Sequence, residues 1–447
     1  MAAQNLRLSN NPLFEVIKKH TFLKQFWQKK PYVFREVLTD IAGELELAID
    51  GNELAGLACE DMVESRIIFG HEQTGEWRCE QGVFTEDRFA HLPESNWTLL
   101  VQGVDQWFEE VQQLFQYFDF LPQWRLEDIM ASYAPIGGGV GPHFDYYDVF
   151  LLQVSGSREW KLGQQCDDSS ALQNNQHVKL LEEFITSDTQ VLTPGDMLYV
   201  PAGTAHWGTA TSDDCITFSV GFRSPSEKEL VTHLLENLIE QCAENRRYQD
   251  DINYAEDNEE HNQGNNEDRN EDRNEDRNED RNEDRNEDRN EDRNEDRNEG
   301  RRTGENIKKN NDTISHPARI NNSVHYKVSE LLHVLTQENI HKAAQQAFGE
   351  LVTEPRYFSS EEETASPDEI SAQFERAIKQ SPTLELSIPV STRLAFSTTE
   401  LFVNGESYVV SESFAQSVCD GLITVAAMSE AEKTVLAALI EQGDIAL

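Results

Sequence analysis

The sequence has no run of eighteen apolar residues, no closely spaced cysteine pair and few bases for its acids, and each shortage removes a class of protein. Without such a run, no segment reads as a membrane span. The N-terminal MAAQNLRLSNNPLF lacks a basic stretch followed by an apolar core, so no secretory leader is expected and the chain reads as soluble and cytoplasmic. Six cysteines, Cys59, Cys79, Cys166, Cys215, Cys242 and Cys419, are scattered without a C-x-x-C pair. They read as reduced, mostly buried thiols rather than a disulfide framework. Lys and Arg number 38 against 82 Asp and Glu, a net charge of −44, which argues against a chain that coats nucleic acid by neutralising phosphates. A basic partner is the better match. Hydrophobic residues make up 38%, below the usual 45–50% or so, so part of the chain is expected to have no core.

That part is easily found. Asn-Glu-Asp-Arg recurs eight times from Asn266 to Arg297, followed by a degenerate copy ending at Arg301. A helix with this period would stack like charges at i,i+4 and bury nothing apolar, so residues 250–322 read as a solvated, disordered insertion. Residues 250–302 hold 23 acids and 10 bases, leaving −31 for the rest, so the folded parts are acidic too.

At 447 residues, the length allows about three domains. Up to residue 125 helical and strand signals mix; Phe22, Leu23, Phe26 and Trp27 form a helical stripe that stops at Lys29-Lys30-Pro31. From Arg125 to Pro225, short apolar runs separated by Gly, Pro and Asp predict an all-β barrel or sandwich. After Pro225 the pattern turns helical. Leu230, Leu234 and Leu238 adjoin a second row of Val231, Leu235, Ile239 and Cys242, a wide stripe that needs cover from the same chain or from a second copy. Residues 326–350 read as another helix, with the repeat in the loop between them. The last section offers a helix, strands in LAFS and ELFVNGESYVV, and two further helices. Asn404-Gly405 is a type I′ hairpin signal, and Ser429 with Glu432 a capping box. Together they predict a winged-helix-like module, with a protein partner favoured over DNA by the surrounding acidity. The expected domains are thus 1–225 (catalytic), 226–350 (helical, dimerising, carrying the insertion) and 351–447 (winged-helix-like).

The chemistry sits in GGGVGPHFDYYDVFLLQVSGSREWKLG, Gly137 to Gly163. In a strand, side chains two apart share a face, which puts His143 and Asp145 together. A third ligand would come from a distant strand, and PGDMLYVPAGTAHWG offers His206 just past a strand and a Pro-x-Gly turn. Two imidazoles and a carboxylate form the facial triad of non-haem Fe(II) oxygenases, which leaves positions for a chelating cosubstrate and dioxygen. After a turn at Ser155-Gly156-Ser157, the returning strand puts Arg158, Trp160 and Leu162 on one face. An arginine among barrel-facing apolar residues needs an anion, either an acidic neighbour or the distal carboxylate of 2-oxoglutarate. Ser132, on the preceding strand, is a candidate for a further hydroxyl contact. Tyr146, Tyr147 and Asp148, beside the ligands, read either as channel lining for a cationic side chain or as strand packing.

These motifs, with FLKQFWQKKP (Phe22 to Pro31) and Thr193 to Pro225, resemble the JmjC-type ribosomal oxygenases, whose bacterial branch hydroxylates an arginine of the sixteenth large-subunit ribosomal protein. The resemblance implies an α+β chain: a double-stranded β-helix (cupin or JmjC jelly roll), a helical dimerisation region and a C-terminal winged helix. It implies His143, Asp145 and His206 as iron ligands and Arg158 as the 2-oxoglutarate anchor. A lysine fills that role in the animal relatives, so Arg158 points to the bacterial branch. Fe(II), 2-oxoglutarate, dioxygen and a basic ribosomal protein follow as cofactor, cosubstrates and substrate; direct contact with nucleic acid or membrane does not. Two other readings stay open: the same fold acting on a histidine, a methylated lysine or a small molecule, and an inactive cupin serving in ribosome assembly.

Overall fold

The run VFLLQV, residues 149–154, is apolar at every position but Gln153 rather than alternating, as in a strand covered on both faces. The computed structural model covers both. It describes residues 13, 22–71, 76–174, 178–242, 244, 245, 247, 332, 335–355, 367–389 and 391–447. The Asn-Glu-Asp-Arg repeat lies outside these residues, as does the start of the helix expected over 326–350. The described residues fall into two compact units, one reaching to Asn237 and including His341–Leu447, the other between Leu238 and Ile340.

The first unit opens with α1 (Phe22–Gln25), β1 (Tyr32–Phe34), α2 (Thr39–Ala48), α3 (Gly51–Leu57), β2 (Ser65–His71), β3 (Glu76–Gln81) and β4 (Trp97–Val101). Then come β5 (Leu126–Ala134), β6 (Asp148–Ser155), β7 (Arg158–Gln165), β8 (Asp188–Leu192), β9 (Met197–Val200), β10 (Thr204–Ala210) and β11 (Cys215–Phe222). A large sheet runs β1-β9-β6-β11-β5-β4-β2-β3 and a small one β10-β7-β8, every pairing antiparallel. The expected β barrel or sandwich is present, and it extends further back in the chain than the sequence indicated, through β2, β3 and β4.

Strand parity decides what each face of β6 does. Val149 and Leu151 pack with Trp160, Leu162, Leu192, Leu198 and Val200 between the two sheets. Phe150, Leu152 and Val154 face outward into a second core with Phe22, Phe34, Phe118, Tyr199, Phe218 and Phe222. Helix α1 is shorter than its stripe: Phe22 is fully buried, Leu23 is exposed, and Phe26 and Trp27 lie in the turn that follows. The gain is an aromatic layer, with Phe22 5.1 Å from Tyr199 and Trp27 stacked 5.4 Å from it, ring centre to ring centre.

The chain continues with α4 (Glu227–Glu240), α5 (Gln337–Thr353), α6 (Pro367–Gln380), β12 (Thr383–Glu385), β13 (Leu394–Phe396), β14 (Glu400–Val403), β15 (Glu406–Val409), α7 (Glu412–Cys419), β16 (Leu422–Thr424) and α8 (Glu430–Glu441). On α4 the Val231, Leu235 and Ile239 row is exposed. The C-terminal segment has its own core of Phe374, Leu401, Val403, Phe414, Leu436 and Leu439. Its hairpin turns at Asn404 (φ 48°) and Gly405 (φ 86°), the positive pair that a type I′ turn requires, and Ser429 and Glu432 make the capping box. Arg393 ties this segment to the barrel, its guanidinium donating to the Trp124 and Leu126 carbonyls at 2.9 Å each. All six cysteines are free, but only Cys166 and Cys215 are buried and Cys242 is exposed, so burial is less general than expected.

Candidate metal and anion site

His143 and Asp145 do not stand on an extended strand, as the two-residue spacing implied; they lie in the irregular segment between β5 and β6. What fixes them is β10. His143 N–H donates to the His206 carbonyl at 3.1 Å and His206 N–H to the His143 carbonyl at 2.8 Å, an isolated antiparallel bridge. The Asp145 carbonyl accepts from Gly203 N–H at 2.7 Å, one turn before β10. His206 follows the strand β9 and the Pro201-Ala202-Gly203 turn, as expected, and is the third residue of β10. The result is the expected convergence: Asp145 Oδ2 lies 4.0 Å from His143 Nε2 and 3.5 Å from His206 Nε2, and the donor atoms of the three all fall within 4.8 Å of one another.

The other ring nitrogen of each histidine is already engaged. His143 Nδ1 faces the Gly141 carbonyl at 2.9 Å and His206 Nδ1 the Thr204 carbonyl at 3.0 Å. A carbonyl accepts only, so each Nδ1 carries the proton and each Nε2 presents its lone pair inward, the arrangement that metal-ligating imidazoles adopt. Complete burial, with His143 beside it, depresses His206 to about 4, so its ring is neutral at pH 7. Two imidazoles with Nε2 turned inward and one carboxylate, aimed at a common point, fit a divalent first-row metal with open positions.

Strand β7 places a second feature in the same interior. Arg158, Trp160 and Leu162 face inward, with Leu162 opposite His206, Trp160 opposite Gly208 and Arg158 opposite Ala210. Gly208 is required here because a Cβ would come within 2.7 Å of the Trp160 ring, which sits 5.9 Å from the His206 ring. Arg158 lies four residues along from the His206 level, roughly 13 Å of strand. It is 2% exposed and has no acidic partner among the described residues; its Nε and Nη2 make no hydrogen bond. Trp160 Nε1 and Thr98 Oγ1 are likewise buried and unbonded. An unmet buried polar group costs about 1–3 kcal/mol, and more for a charged one, so four such atoms in one barrel call for an occupant. The arrangement fits a dicarboxylate with one end at the metal and the other at the guanidinium.

Ser132 also faces the interior, opposite Thr217, which pairs in turn with Gln153. Its hydroxyl donates to the Thr217 carbonyl at 3.3 Å, and Thr217 Oγ1 donates to Gln153 Oε1 at 3.0 Å. Asp148 is not channel lining. Its parity is that of Phe150, so it points out of the barrel into the aromatic layer, where it is 1% exposed. There Tyr199 donates to it at 2.6 Å and Arg125 at 2.9 Å. Burial pushes this carboxyl up and the Arg125 guanidinium down, each opposed by the other's charge. Tyr146 and Tyr147 are both exposed; Tyr146 donates to Asp168 at 2.6 Å, and the Tyr147 hydroxyl is pushed up by burial of its end of the ring and then by Asp145. Trp160 Nε1 and Thr98 were not singled out from sequence. The strand parity of Trp160 was a signal for the first, whereas the inward turn of Thr98 depends on non-local pairing of β4.

Residues 113–230 match the JmjC domain family. The chain is 40% identical over 245 residues to a probable ribosomal oxygenase of Haemophilus influenzae, covering 54% of this chain and 57% of that protein. It is 37% identical over 234 residues to the ribosomal protein uL16 3-hydroxylase of Escherichia coli, covering 51% and 59%. These matches span little more than half the length of either relative. Among solved structures, the ribosomal oxygenase YcfD of Escherichia coli in complex with cobalt and 2-oxoglutarate is similar over 96% of this chain and 97% of its own, with a TM-score of 0.64 and 26% identity. The jelly-roll fold and the likeness to JmjC ribosomal oxygenases that the motifs indicated are therefore borne out.

Proposed function

We propose that this chain is an Fe(II)- and 2-oxoglutarate-dependent oxygenase that hydroxylates an arginine side chain of the large-subunit ribosomal protein uL16. One observation carries the reading: a two-histidine, one-carboxylate cluster shares a barrel interior with a buried arginine that has no acidic partner among the described residues and two guanidinium nitrogens without a hydrogen bond. In this reading His143, Asp145 and His206 hold the iron, and Arg158 holds the distal carboxylate of 2-oxoglutarate. When bound, iron and 2-oxoglutarate supply the oxidation: dioxygen is divided between succinate, formed with carbon dioxide from 2-oxoglutarate, and the hydroxyl placed on the target carbon. The protein's own part is geometric. The Gly141 and Thr204 carbonyls keep both imidazoles in the ligating tautomer, and Arg158 would clamp the cosubstrate beside the apolar cluster of Val149, Leu151, Leu162 and Leu198. Ser132 serves as a lesser contact through its oxygen lone pairs.

A cationic target suits a chain of net charge −44, whose field speeds encounter with a basic ribosomal protein. The name of the Escherichia coli relative supports uL16 as the protein and carbon 3 as the position. Such a substrate places the reaction in the cytoplasm, in keeping with the lack, among the described residues, of any helix long and apolar enough to cross a membrane. The exposed Val231, Leu235 and Ile239 row supports a homodimer through the region 226–350. Helices α6, α7 and α8 with the β14–β15 hairpin support a winged-helix-like module over 351–447. The test is mass spectrometry of ribosomal proteins incubated with the protein, Fe(II), ascorbate and 2-oxoglutarate, with His206→Ala as control. A gain of one oxygen on an arginine of uL16, absent in the control, is expected. No modified ribosomal protein while 2-oxoglutarate is still consumed would discard the substrate, and no consumption would discard the enzyme.

A further inference from the structure

The buried carboxylate on the far side of β6 touches nothing in the barrel, yet its contacts lead to both ligand-bearing segments. Asp148 stands three residues after Asp145, and its Oδ1 and Oδ2 take the Tyr199 hydroxyl and the Arg125 guanidinium. Gln28 N–H donates to the same Tyr199 oxygen at 2.7 Å, and the Gln28 amide oxygen, correctly oriented, accepts from Arg125 Nη1 at 2.8 Å. The guanidinium also lies 5.0 Å from the Trp27 ring centre. Tyr199 lies on β9, which leads directly into the turn in which Gly203 N–H holds the Asp145 carbonyl and the Pro201 carbonyl accepts from Thr204 N–H. Thr204 in turn orients His206. A buried ion pair is seldom retained for stability alone, because apolar residues of similar volume do as well or better.

We infer that Asp148, Arg125 and Tyr199 form a positioning cluster for the metal centre, fixing the segment that carries Asp145 against the turn that carries His206. The inference rests on the metal reading of His143, Asp145 and His206. These residues touch no reacting atom; they set the separation of two ligands from the opposite face of the sheet. Loss of the cluster should therefore loosen the metal without unfolding the barrel.

The test uses the full-length protein and Co(II), read by visible absorption as the metal is titrated in. In the double variant Arg125→Met with Asp148→Leu, which replaces the pair by apolar side chains, Co(II) affinity should fall roughly 10- to 100-fold, the range for losing an outer contact of a metal site, and the absorption band should shift. The thermal midpoint should stay near that of the wild type. Tyr199→Phe, which removes a single hydroxyl, should weaken Co(II) in the same direction, and it decides the matter if the double variant fails to fold. His206→Ala marks the signal of a lost ligand. Wild-type affinity and an unshifted band in the folded variants overturn the positioning role alone, whereas a wild type that gives no Co(II) signal overturns it together with the metal reading.

Discussion

Arg125 and Arg158 are buried to nearly the same degree, at 6% and 2% exposure, on opposite sides of one sandwich. Arg125, in the outer aromatic layer, has a carboxylate at 2.9 Å, an amide oxygen at 2.8 Å and an indole face. Arg158, in the barrel, has the Trp160 ring 5.8 Å away and two guanidinium nitrogens with nothing to donate to. The first is a charge neutralised by its own chain and serves architecture. The second is a charge left unneutralised at a structural cost, which is what a site built for an incoming anion looks like.

Stability measurements on single variants can break that comparison. Arg125→Met should destabilise by about 3–5 kcal/mol, because it leaves the buried Asp148 unpaired. The loss should shrink as the pH falls into the carboxylate range: with Arg125 gone the Asp148 pKa rises further above its unfolded value, and the protonated form carries no charge to strand. Urea unfolding at pH 7 and pH 4 reads both. Arg158→Met should do the opposite in the absence of 2-oxoglutarate, leaving stability unchanged or raising it by about 1–3 kcal/mol as unmet donors are removed. A loss as large as that of Arg125→Met would show that Arg158 has a structural role.

Asp196 sharpens the contrast from a third position. Burial pushes its carboxyl up, but the Glu36 and Thr193 backbone N–H groups and the Arg35 guanidinium together hold it below its ordinary 3.8. This clamp between the segment after β1 and the turn before β9 is fully present above pH 3.8 and is lost as pH falls through the lowered value. Because Arg35 is half exposed, Asp196→Asn should cost only about 1 kcal/mol at pH 7, measured by thermal unfolding, and less as pH falls through the lowered value. The smallest effect belongs to the repeat. Deleting Asn266–Arg297, which offers no apolar residue for a core, should leave 2-oxoglutarate turnover at saturating substrate unchanged in a succinate assay.

How much of this was legible in the sequence depends on whether a feature is local. The Asn404-Gly405 hairpin and the Ser429 capping box were readable because the turn and the cap are made within four residues. His143, Asp145, His206 and Arg158 were readable because their chemistry narrows the choices, although the strand assumed for the first two is absent. Of the two readings left open for Asp148, strand packing holds, and strand parity, which sets it with Phe150 rather than Val149, decides between them. The inward turn of Thr98 and the pairing of β4 between β2 and β5 depend on residues about thirty positions away on either side, and no periodicity within β4 reveals them.

The most direct test of the central claim is calorimetric titration of 2-oxoglutarate into the Co(II)-loaded protein and into its Arg158→Met variant. One-site binding in the wild type, weakened roughly 10- to 100-fold in the variant for the loss of a charged hydrogen-bonded pair, is the expected result. Equal affinity in both proteins would contradict the account, because the unpaired guanidinium would then be waiting for something else.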